Sequence, residues 1–267
     1  MKQPVNRIAV LAIMLAALAA TAGIGPAPAQ TGAQTRLDAI LTQGTLRVGT
    51  TGDYKPFTFL NKATGEYSGI DIELAHNLGQ ALGVKVEFVP TAWPSLMKDF
   101  EAERFDIAMG GISVTLERQK KGFFSAPYLR AGKAPIARCE DKEKFATLAD
   151  IDKPDVRVIV NPGGTNETFV RANLKSAQII VYRDNTTIFD EIVGRNADLM
   201  ITDASETRYQ QRLHPALCAI HPDKPFSFGE MGYLMQRDVA LKAFVDQWLH
   251  IATESGVYQT IVSKWMD

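Results

Sequence analysis

The sequence predicts an α/β protein of two lobes, each a mainly parallel sheet flanked by helices, with the ligand in the cleft between the lobes. Three observations lead to this fold class. Strand-like and helix-like segments alternate over 45–119, the alternation begins again after Lys133, and the chain becomes extended once more near Pro225. Two α/β units joined by two extended segments indicate a double crossover.

We therefore expect 36–132 plus 225–267 to form lobe 1 and 133–224 to form lobe 2. In lobe 1 the apolar, β-branched runs predict strands at 45–50, 57–59, 67–69, 84–89 and 105–109. Helical spacing predicts helices at 37–41, 71–82, 93–100, 115–119, 240–254 and 258–265. Asp71 is predicted to cap the second of these helices, which ends at Gly83.

The same patterns describe lobe 2. Strands are predicted at 135–138, 156–160, 179–182 and 198–202. Helices are predicted at 148–151, 168–174, 186–193 and 206–213. Because ligands of parallel sheets bind at the carboxyl ends of the strands, we expect the functional residues to follow these strands.

The first residues have the pattern of a secretory signal peptide. Lys2 and Arg7 precede an apolar run over 8–20, and Ala27-Pro28-Ala29 is a small-x-small cleavage site. We predict a signal peptide over 1–29, cleavage after Ala29, and a soluble periplasmic protein. No later stretch is apolar and long enough to predict a membrane helix, so we expect no membrane insertion after cleavage.

Charge and cysteine content exclude several classes of function. The chain has 29 Lys+Arg and 30 Asp+Glu without a basic block, which argues against a nucleic-acid partner. In an oxidising compartment, Cys139 and Cys218 are disulfide candidates, and two separated thiols do not make a zinc site. The four histidines have no ligand spacing. We expect no metal and no cofactor, and no sequence feature predicts an oligomeric state.

A glycine-rich turn over 161–167 (NPGGTNE) connects a predicted strand to a predicted helix. Backbone N–H groups at such a helix start, together with the helix dipole, can bind a carboxylate or phosphate. The other interpretation is a plain strand–helix turn in which the glycines serve only the geometry. Glu167 is then either a capping charge or an acid directed at a bound anion.

The predicted strand ends bring a group of polar and aromatic residues to the cleft. Its members are Asp53, Tyr54, Thr91, Trp93, 110–113, 163–167 and Asp203. Arg118 follows close behind and is able to bind a carboxylate with two parallel hydrogen bonds. Some of these residues also have a purely structural interpretation. Arg118 would then pair with Glu117 or Glu103 on the surface, the aromatic residues Trp93 and Tyr54 would belong to the core, and Asp203 would cap a helix.

The run over 110–118 (GGISVTLER), followed by FSAPY at 124–128, resembles the signature of the polar-amino-acid-type periplasmic solute-binding proteins, family 3. The resemblance implies the type II periplasmic-binding-protein fold. It also implies that Arg118 holds the ligand α-carboxylate with help from Ser113 and the Gly111 backbone. The position of Thr165 implies a further carboxylate contact, and that of Asp203 an ammonium contact.

Within that family the chain resembles the periplasmic cyclohexadienyl dehydratases along its whole mature length. The similar stretches are TTGDYKPF (50–57), PTAWPSLMKDF (90–100), RFDIAMGGIS (104–113), VNPGGTNE (160–167), DLMITDA (198–204), RLHPALCAIHP (212–222) and VDQWLHIA (245–252). The resemblance implies conversion of prephenate to phenylpyruvate and of arogenate to phenylalanine. Gly110 and Gly111 stand where amino-acid receptors often carry small hydroxyl residues.

This reaction needs one general acid to protonate the departing hydroxyl. The resemblance and the motif position select Glu167, with the carboxylates held by Arg118, Ser113 and the backbone of 164–166 including Asn166. A helix start lowers the pKa of a glutamate, whereas desolvation and two substrate carboxylates raise it. Trp93 and Tyr54 would pack against the substrate ring, and Asp203 would contact the amino group of arogenate.

The alternative function is a non-catalytic receptor that delivers an amino acid or small dicarboxylate to an ABC transporter. Such a receptor would use the same carboxylate clamp and release its ligand unchanged. Glu167 would then be only a charge at a helix start.

Overall fold

A computed structural model describes residues 34–266 of the chain. The predicted signal peptide over 1–29 and its cleavage site lie outside the described residues. Within 34–266, no helix combines the length and the apolar character needed to cross a membrane.

The described elements follow one another as strands and helices from end to end. The strands are β1 (Thr45–Thr50), β2 (Asp53–Tyr54), β3 (Thr58–Leu60), β4 (Tyr67–Ser68), β5 (Lys85–Pro90), β6 (Ile107–Ala108), β7 (Phe123–Phe124), β8 (Leu129–Ala131), β9 (Lys133–Arg138), β10 (Arg157–Val160), β11 (Gln178–Val181), β12 (Leu199–Asp203), β13 (Leu217–Ala219), β14 (Gly229–Met231) and β15 (Leu234–Met235). The helices are α1 (Arg36–Gln43), α2 (Ile70–Leu82), α3 (Leu96–Glu101), α4 (Leu116–Gln119), α5 (Leu148–Ile151), α6 (Thr165–Asn173), α7 (Ile188–Val193), α8 (Ala204–Leu213), α9 (Val239–Glu254) and α10 (Val257–Met266). A 3-10 helix covers Cys139–Phe145.

The first sheet has the strand order β5-β1-β6-β15-β7. Strands β5, β1 and β6 are parallel, whereas β15 pairs antiparallel with both β6 and β7. Apolar residues of β1 and β6 pack with α2 and α9 in a core that includes Leu46, Leu74 and Leu249. The sheet therefore combines four strands from the first half of the chain with one strand from its last part.

The second sheet has the strand order β11-β10-β12-β9-β13. Its three parallel strands are β11, β10 and β12, while β9 pairs antiparallel with β12 and with β13. A disulfide between Cys139 and Cys218, with an S–S distance of 2.07 Å, connects the end of β9 to β13. Apolar residues of α6 and β10 pack on one face of this sheet, and residues of α7 pack on the other.

A short antiparallel pair, β8 with β14, carries the two connections between the sheets. The chain leaves the first sheet through β8 and returns from the second through β14, so the predicted double crossover is present. Two sheets flanked by helices agree with the predicted α/β class. The lobe boundaries at 132/133 and 224/225 stay a prediction.

Several local predictions need correction. Asp71 does not cap α2, because Gly69 is the N-cap and Asp71 lies buried inside the first turn. Its carboxylate accepts hydrogen bonds from the Gly111 N–H at 2.6 Å and from the hydroxyls of Tyr128 and Tyr233 at 2.7 and 3.1 Å. The helix after the glycine-rich turn begins at Thr165, three residues earlier than predicted. The short strands β7, β8, β14 and β15 were not predicted.

Candidate active site

The carboxyl ends of the parallel strands from both sheets meet around a cavity of about 260 Å³. Residues from both predicted lobes line it. They are Tyr54, Trp93, Gly111, Ser113, Asn161, Gly164, Thr165, Asn166 and Asp203. Eight of these were predicted site residues, and Asn161 was not. The predicted residues Asp53, Arg118 and Glu167 are not part of this lining.

Direct contacts cross from one sheet to the other at this cavity. The Tyr54 hydroxyl donates to Asp203 Oδ2 at 2.6 Å, and the hydroxyls of Ser113 and Thr165 lie 3.2 Å apart. Tyr54 also stacks on Phe57 and meets the edge of Trp93, with ring centroids 5.3 and 5.6 Å away. Tyr54 is therefore both a core residue and a wall of the cavity.

Lys133 lies at the centre of the polar cluster, although it was not predicted. It is the register partner of Asp203 across β9 and β12. Its Nζ donates to Asp203 Oδ1 at 2.8 Å, to Asn166 Oδ1 at 2.6 Å and to Thr165 Oγ1 at 3.0 Å. A charged residue at the start of the otherwise apolar run over 134–137 was the signal in the sequence.

Asp203 is more than a helix cap. It occupies the N-cap position of α8, but its side chain makes no capping hydrogen bond. One carboxylate oxygen accepts from Tyr54 and the other from Lys133. The pair with Lys133 is buried, with side chains 8% (Lys133) and 6% (Asp203) exposed.

Glu206 is a buried carboxyl next to this cluster and was read from sequence only as part of a helix. It is 1% exposed, in the first turn of α8. Burial raises its pKa to about 8, so that the side chain is mostly neutral at pH 7. Thr202 Oγ1 donates to Glu206 Oε2 and accepts from Asn166 Nδ2 at 2.9 Å.

Arg118 is buried behind Ser113, with 9% of its surface exposed. Its Nη1 donates to the Ser113 carbonyl oxygen at 2.8 Å, and its other side-chain N–H groups have no partner within the described chain. Burial lowers its pKa to about 10, and the guanidinium stays charged at pH 7. The surface alternative is wrong, since Glu117 pairs with Lys120 and Glu103 with Arg36.

The Gly111 backbone does not offer its N–H to the cavity. That N–H is used by the Asp71 carboxylate, as described above. Gly111 has φ +70°, and a Cβ placed there would lie 2.5 Å from the Tyr54 ring. Only glycine satisfies both conditions at this position. The turn therefore seats Tyr54, and the predicted help of the Gly111 backbone in carboxylate binding stays a prediction.

The glycine-rich turn does bring a helix start to the cavity. Gly164 is the N-cap of α6 and has no side-chain cap. The side chains of Thr165 and Asn166 point into the Lys133 cluster. The uncapped N–H groups at this end of α6 give the cavity a positive edge that favours an anion.

Glu167 follows in the same helix turn but faces elsewhere. Its carboxylate accepts from the Gly163 N–H at 2.8 Å and from Arg171, also at 2.8 Å, and its side chain is 20% exposed. The Gly163 hydrogen bond and the Arg171 guanidinium lower its pKa. The predicted role of Glu167 as proton donor requires its pKa to rise once substrate carboxylates and desolvation act on it, and this role stays a prediction.

Asp53 lies at the outer edge of the site. It accepts from Trp93 Nε1 at 3.0 Å, and its backbone carbonyl accepts from Asn185 Nδ2 across the cleft at 3.0 Å. Burial raises the pKa of the Asp53 carboxyl. With Trp93, Asn161 and Arg183 it lines a second, open cavity of about 840 Å³. Asp53 thus orients Trp93.

This fold and this kind of site define a solute-binding protein. The family model "Bacterial extracellular solute-binding proteins, family 3" matches residues 46–267, and the chain belongs to that family. The two-lobed fold class predicted from the sequence is confirmed by this match and by the solved structures of the family that the chain resembles.

Among individual proteins, the chain is 56% identical to the cyclohexadienyl dehydratase of Pseudomonas aeruginosa over 234 residues, covering 88% of this chain and 87% of that protein. It is 27% identical to an L-cystine-binding protein of Escherichia coli, and the match covers 86% of this chain and 85% of that protein. A solved ancestral amino acid-binding protein, a precursor of cyclohexadienyl dehydratase, matches with TM-score 0.80 and 38% identity, covering 86% and 99%. A solved ancestral cyclohexadienyl dehydratase matches with TM-score 0.55 and 53% identity, covering 87% and 96%.

Proposed function

We propose that the protein is a dehydratase that converts prephenate to phenylpyruvate, and arogenate to phenylalanine. The 56% identity to a cyclohexadienyl dehydratase supports this activity. The observation that carries the proposal is Glu206, a buried carboxyl with a raised pKa that is hydrogen-bonded to Thr202, whose hydroxyl also contacts the cavity residue Asn166.

In the proposed reaction the bond between the ring carbon and its carboxylate breaks, and carbon dioxide leaves. The electron pair of that bond moves into the ring, which becomes aromatic as the hydroxyl at the opposite carbon departs. Glu206 gives its proton to the hydroxyl, which leaves as water, and the carboxylate of Glu206 is then reprotonated from solvent. The residue supplies the single acid that the reaction needs, an effect worth about 10²–10⁴-fold.

Two groups would hold the substrate carboxylates. Arg118 uses only Nη1 in a hydrogen bond within the described residues, so its guanidinium retains N–H groups that can donate to a carboxylate. The start of α6 at Gly164 and Thr165 supplies backbone N–H groups and the positive end of the helix dipole. Tyr54 and Trp93 would pack against the ring.

The acid in this proposal is Glu206 and not Glu167. Neither glutamate lines the cavity itself, but Glu206 is buried, its pKa is raised, and it reaches the cavity residue Asn166 through Thr202. Glu167 shares a salt bridge with Arg171 and has a lowered pKa. Its function would be to fix the turn before α6 through the Gly163 N–H.

For location, we propose export to the periplasm with removal of 1–29. The description of the family as extracellular supports an exported protein. The mass of the protein recovered from a periplasmic extract would test the cleavage site, with Gln30 expected as the first residue.

The test is to incubate the purified protein with prephenate and follow phenylpyruvate by its absorbance. Two matched variants, Glu206→Gln and Glu167→Gln, are compared with wild type. We expect a loss of kcat of about 10²–10⁴-fold in Glu206→Gln and a much smaller change in Glu167→Gln. A large loss only in Glu167→Gln would return the acid to that residue.

The main competing function is that of a non-catalytic receptor that binds an amino acid for an ABC transporter. The 27% identity to an L-cystine-binding protein favours this function. Wild-type protein that fails to turn over prephenate or arogenate, but binds an amino acid tightly, would establish that function instead. Calorimetric titration with a panel of amino acids, run beside the turnover assay, separates the two results.

A further inference from the structure

The cavity has one carboxylate in its lining. Of the nine described residues around it, Asp203 alone carries a negative charge. A ligand with an α-ammonium group needs a negative or strongly polar partner inside a closed cavity. Asp203 is therefore the group on which the recognition of any amino acid would depend.

Asp203 is already engaged on both carboxylate oxygens. Oδ2 accepts from Tyr54 at 2.6 Å, and Oδ1 accepts from the Lys133 ammonium at 2.8 Å. The ammonium of Lys133 uses its three N–H donors on Asp203, Asn166 and Thr165. Because it is buried and fully hydrogen-bonded, nothing drives Lys133 to give up its place to a ligand.

We propose that Lys133 is a specificity-determining residue whose ammonium occupies the position that the amino group of a ligand would need, so that the site selects an α-keto acid over the corresponding α-amino acid. Resting on the proposed function, this predicts that prephenate is the preferred substrate and arogenate a poor one. A second ammonium near Asp203 would face the like charge of Lys133 in a water-poor site.

The charges around the cavity agree with this choice. Arg118 and Lys133 are two buried cations, and Asp203 is the one acid among the described residues that line the cavity. Prephenate carries two carboxylates and no amino group, whereas arogenate carries an additional positive charge. The ammonium of arogenate would add a third positive charge next to Arg118 and Lys133, which favours prephenate.

The experiment measures kcat/KM for prephenate and for arogenate with wild type, Lys133→Met and Lys133→Arg. We expect wild type to prefer prephenate at least tenfold. Lys133→Met removes the ammonium at similar volume and should bring the ratio to one or below, even where both rates fall. Lys133→Arg keeps the charge and should keep the preference for prephenate.

A binding measurement makes the result independent of turnover. L-Phenylalanine and phenylpyruvate differ in the same two groups as the two substrates, and calorimetry compares their affinities in wild type and Lys133→Met. We expect phenylpyruvate to bind more tightly to wild type, and L-phenylalanine to gain affinity in the variant.

Equal use of both substrates by wild type, or a ratio unchanged in Lys133→Met, would overturn the inference while leaving the dehydratase intact. If Lys133→Met does not fold, loss of the preference in Lys133→Arg, or its absence in wild type, would overturn it equally. Wild type that turns over neither substrate would refute the proposed function, and the calorimetric comparison then decides the role of Lys133 alone.

Discussion

Replacing Glu206 with glutamine should stabilise the protein, and the gain should grow with pH. The side chain is 1% exposed and has a pKa of about 8, against an ordinary value of 4.5. A raised carboxyl pKa means that the folded state binds more protons than the unfolded state between these two values. Stability is therefore lost as pH rises through this window and is retained below it.

The magnitude follows from these two pKa values. Burying Glu206 costs about 1 kcal/mol at pH 5, about 3 kcal/mol at pH 7 and about 5 kcal/mol at pH 9 relative to a side chain that never ionises. Glutamine is such a side chain, and its amide oxygen can still accept from Thr202. A change in hydrogen bonding alters the free energy of unfolding by the same amount at every pH. The ionisation cost instead makes the stability difference between the two proteins depend on pH.

The assay is urea unfolding of both proteins at pH 5, 7 and 9, followed by tryptophan fluorescence with the disulfide intact. Glu167→Gln is the matched control with the opposite sign. Because the pKa of Glu167 is lowered, its contribution to stability is present at neutral pH and is lost as pH falls through its folded pKa. A Glu206→Gln difference that is constant from pH 5 to 9 would refute a buried, neutral Glu206.

Four further results are expected. The kcat/KM for prephenate should fall as pH rises above about 8 in step with ionisation of Glu206, measured as a pH–rate profile at constant ionic strength. Arg118→Gln should raise KM about 10–100-fold, since a charged hydrogen bond to a carboxylate is worth about 1.5–3 kcal/mol, and an unchanged KM would remove it from the site. Gly111→Ala should lower the Tm and impair turnover, because φ is +70° and the new Cβ would meet an aromatic ring at 2.5 Å. The double variant Cys139→Ser with Cys218→Ser should lose about 4–5 kcal/mol in urea unfolding on the chain-entropy model, since the bond spans 79 residues; a loss below about 1 kcal/mol would contradict this model.

Most of the secondary structure could be predicted because its signals are local. The run from β10 through the glycine-rich turn into α6 shows its strand, its turn and its helix in adjacent residues. The two-residue strands β7 and β15 could not be found in this way. They exist only because each finds a partner far away in the sequence, and two residues carry no period of their own.

The convergence of the site residues could be predicted from the strand ends, whereas the different environments of the two glutamates, Glu167 and Glu206, could not. Glu167 and Glu206 are each the third residue of a helix that follows a parallel strand, so their local contexts are equivalent. What separates them is burial and the partner of each side chain. The Gly163 N–H and Arg171 lower the pKa of Glu167, whereas the packing of α8 buries Glu206. Burial and side-chain partners depend on the tertiary structure, so the residues around each glutamate in the sequence do not reveal them.

The placement of β15 has a consequence for the order in which the chain assembles. Strands of the second sheet lie within 133–219 and are contiguous in sequence, so this sheet has all its strands once that segment is available. The first sheet lacks the strand between β6 and β7 until Leu234 and Met235 arrive. A chain that emerges from its amino end would therefore finish the inserted sheet first and complete the earlier one last, with the cleft formed only at that final step.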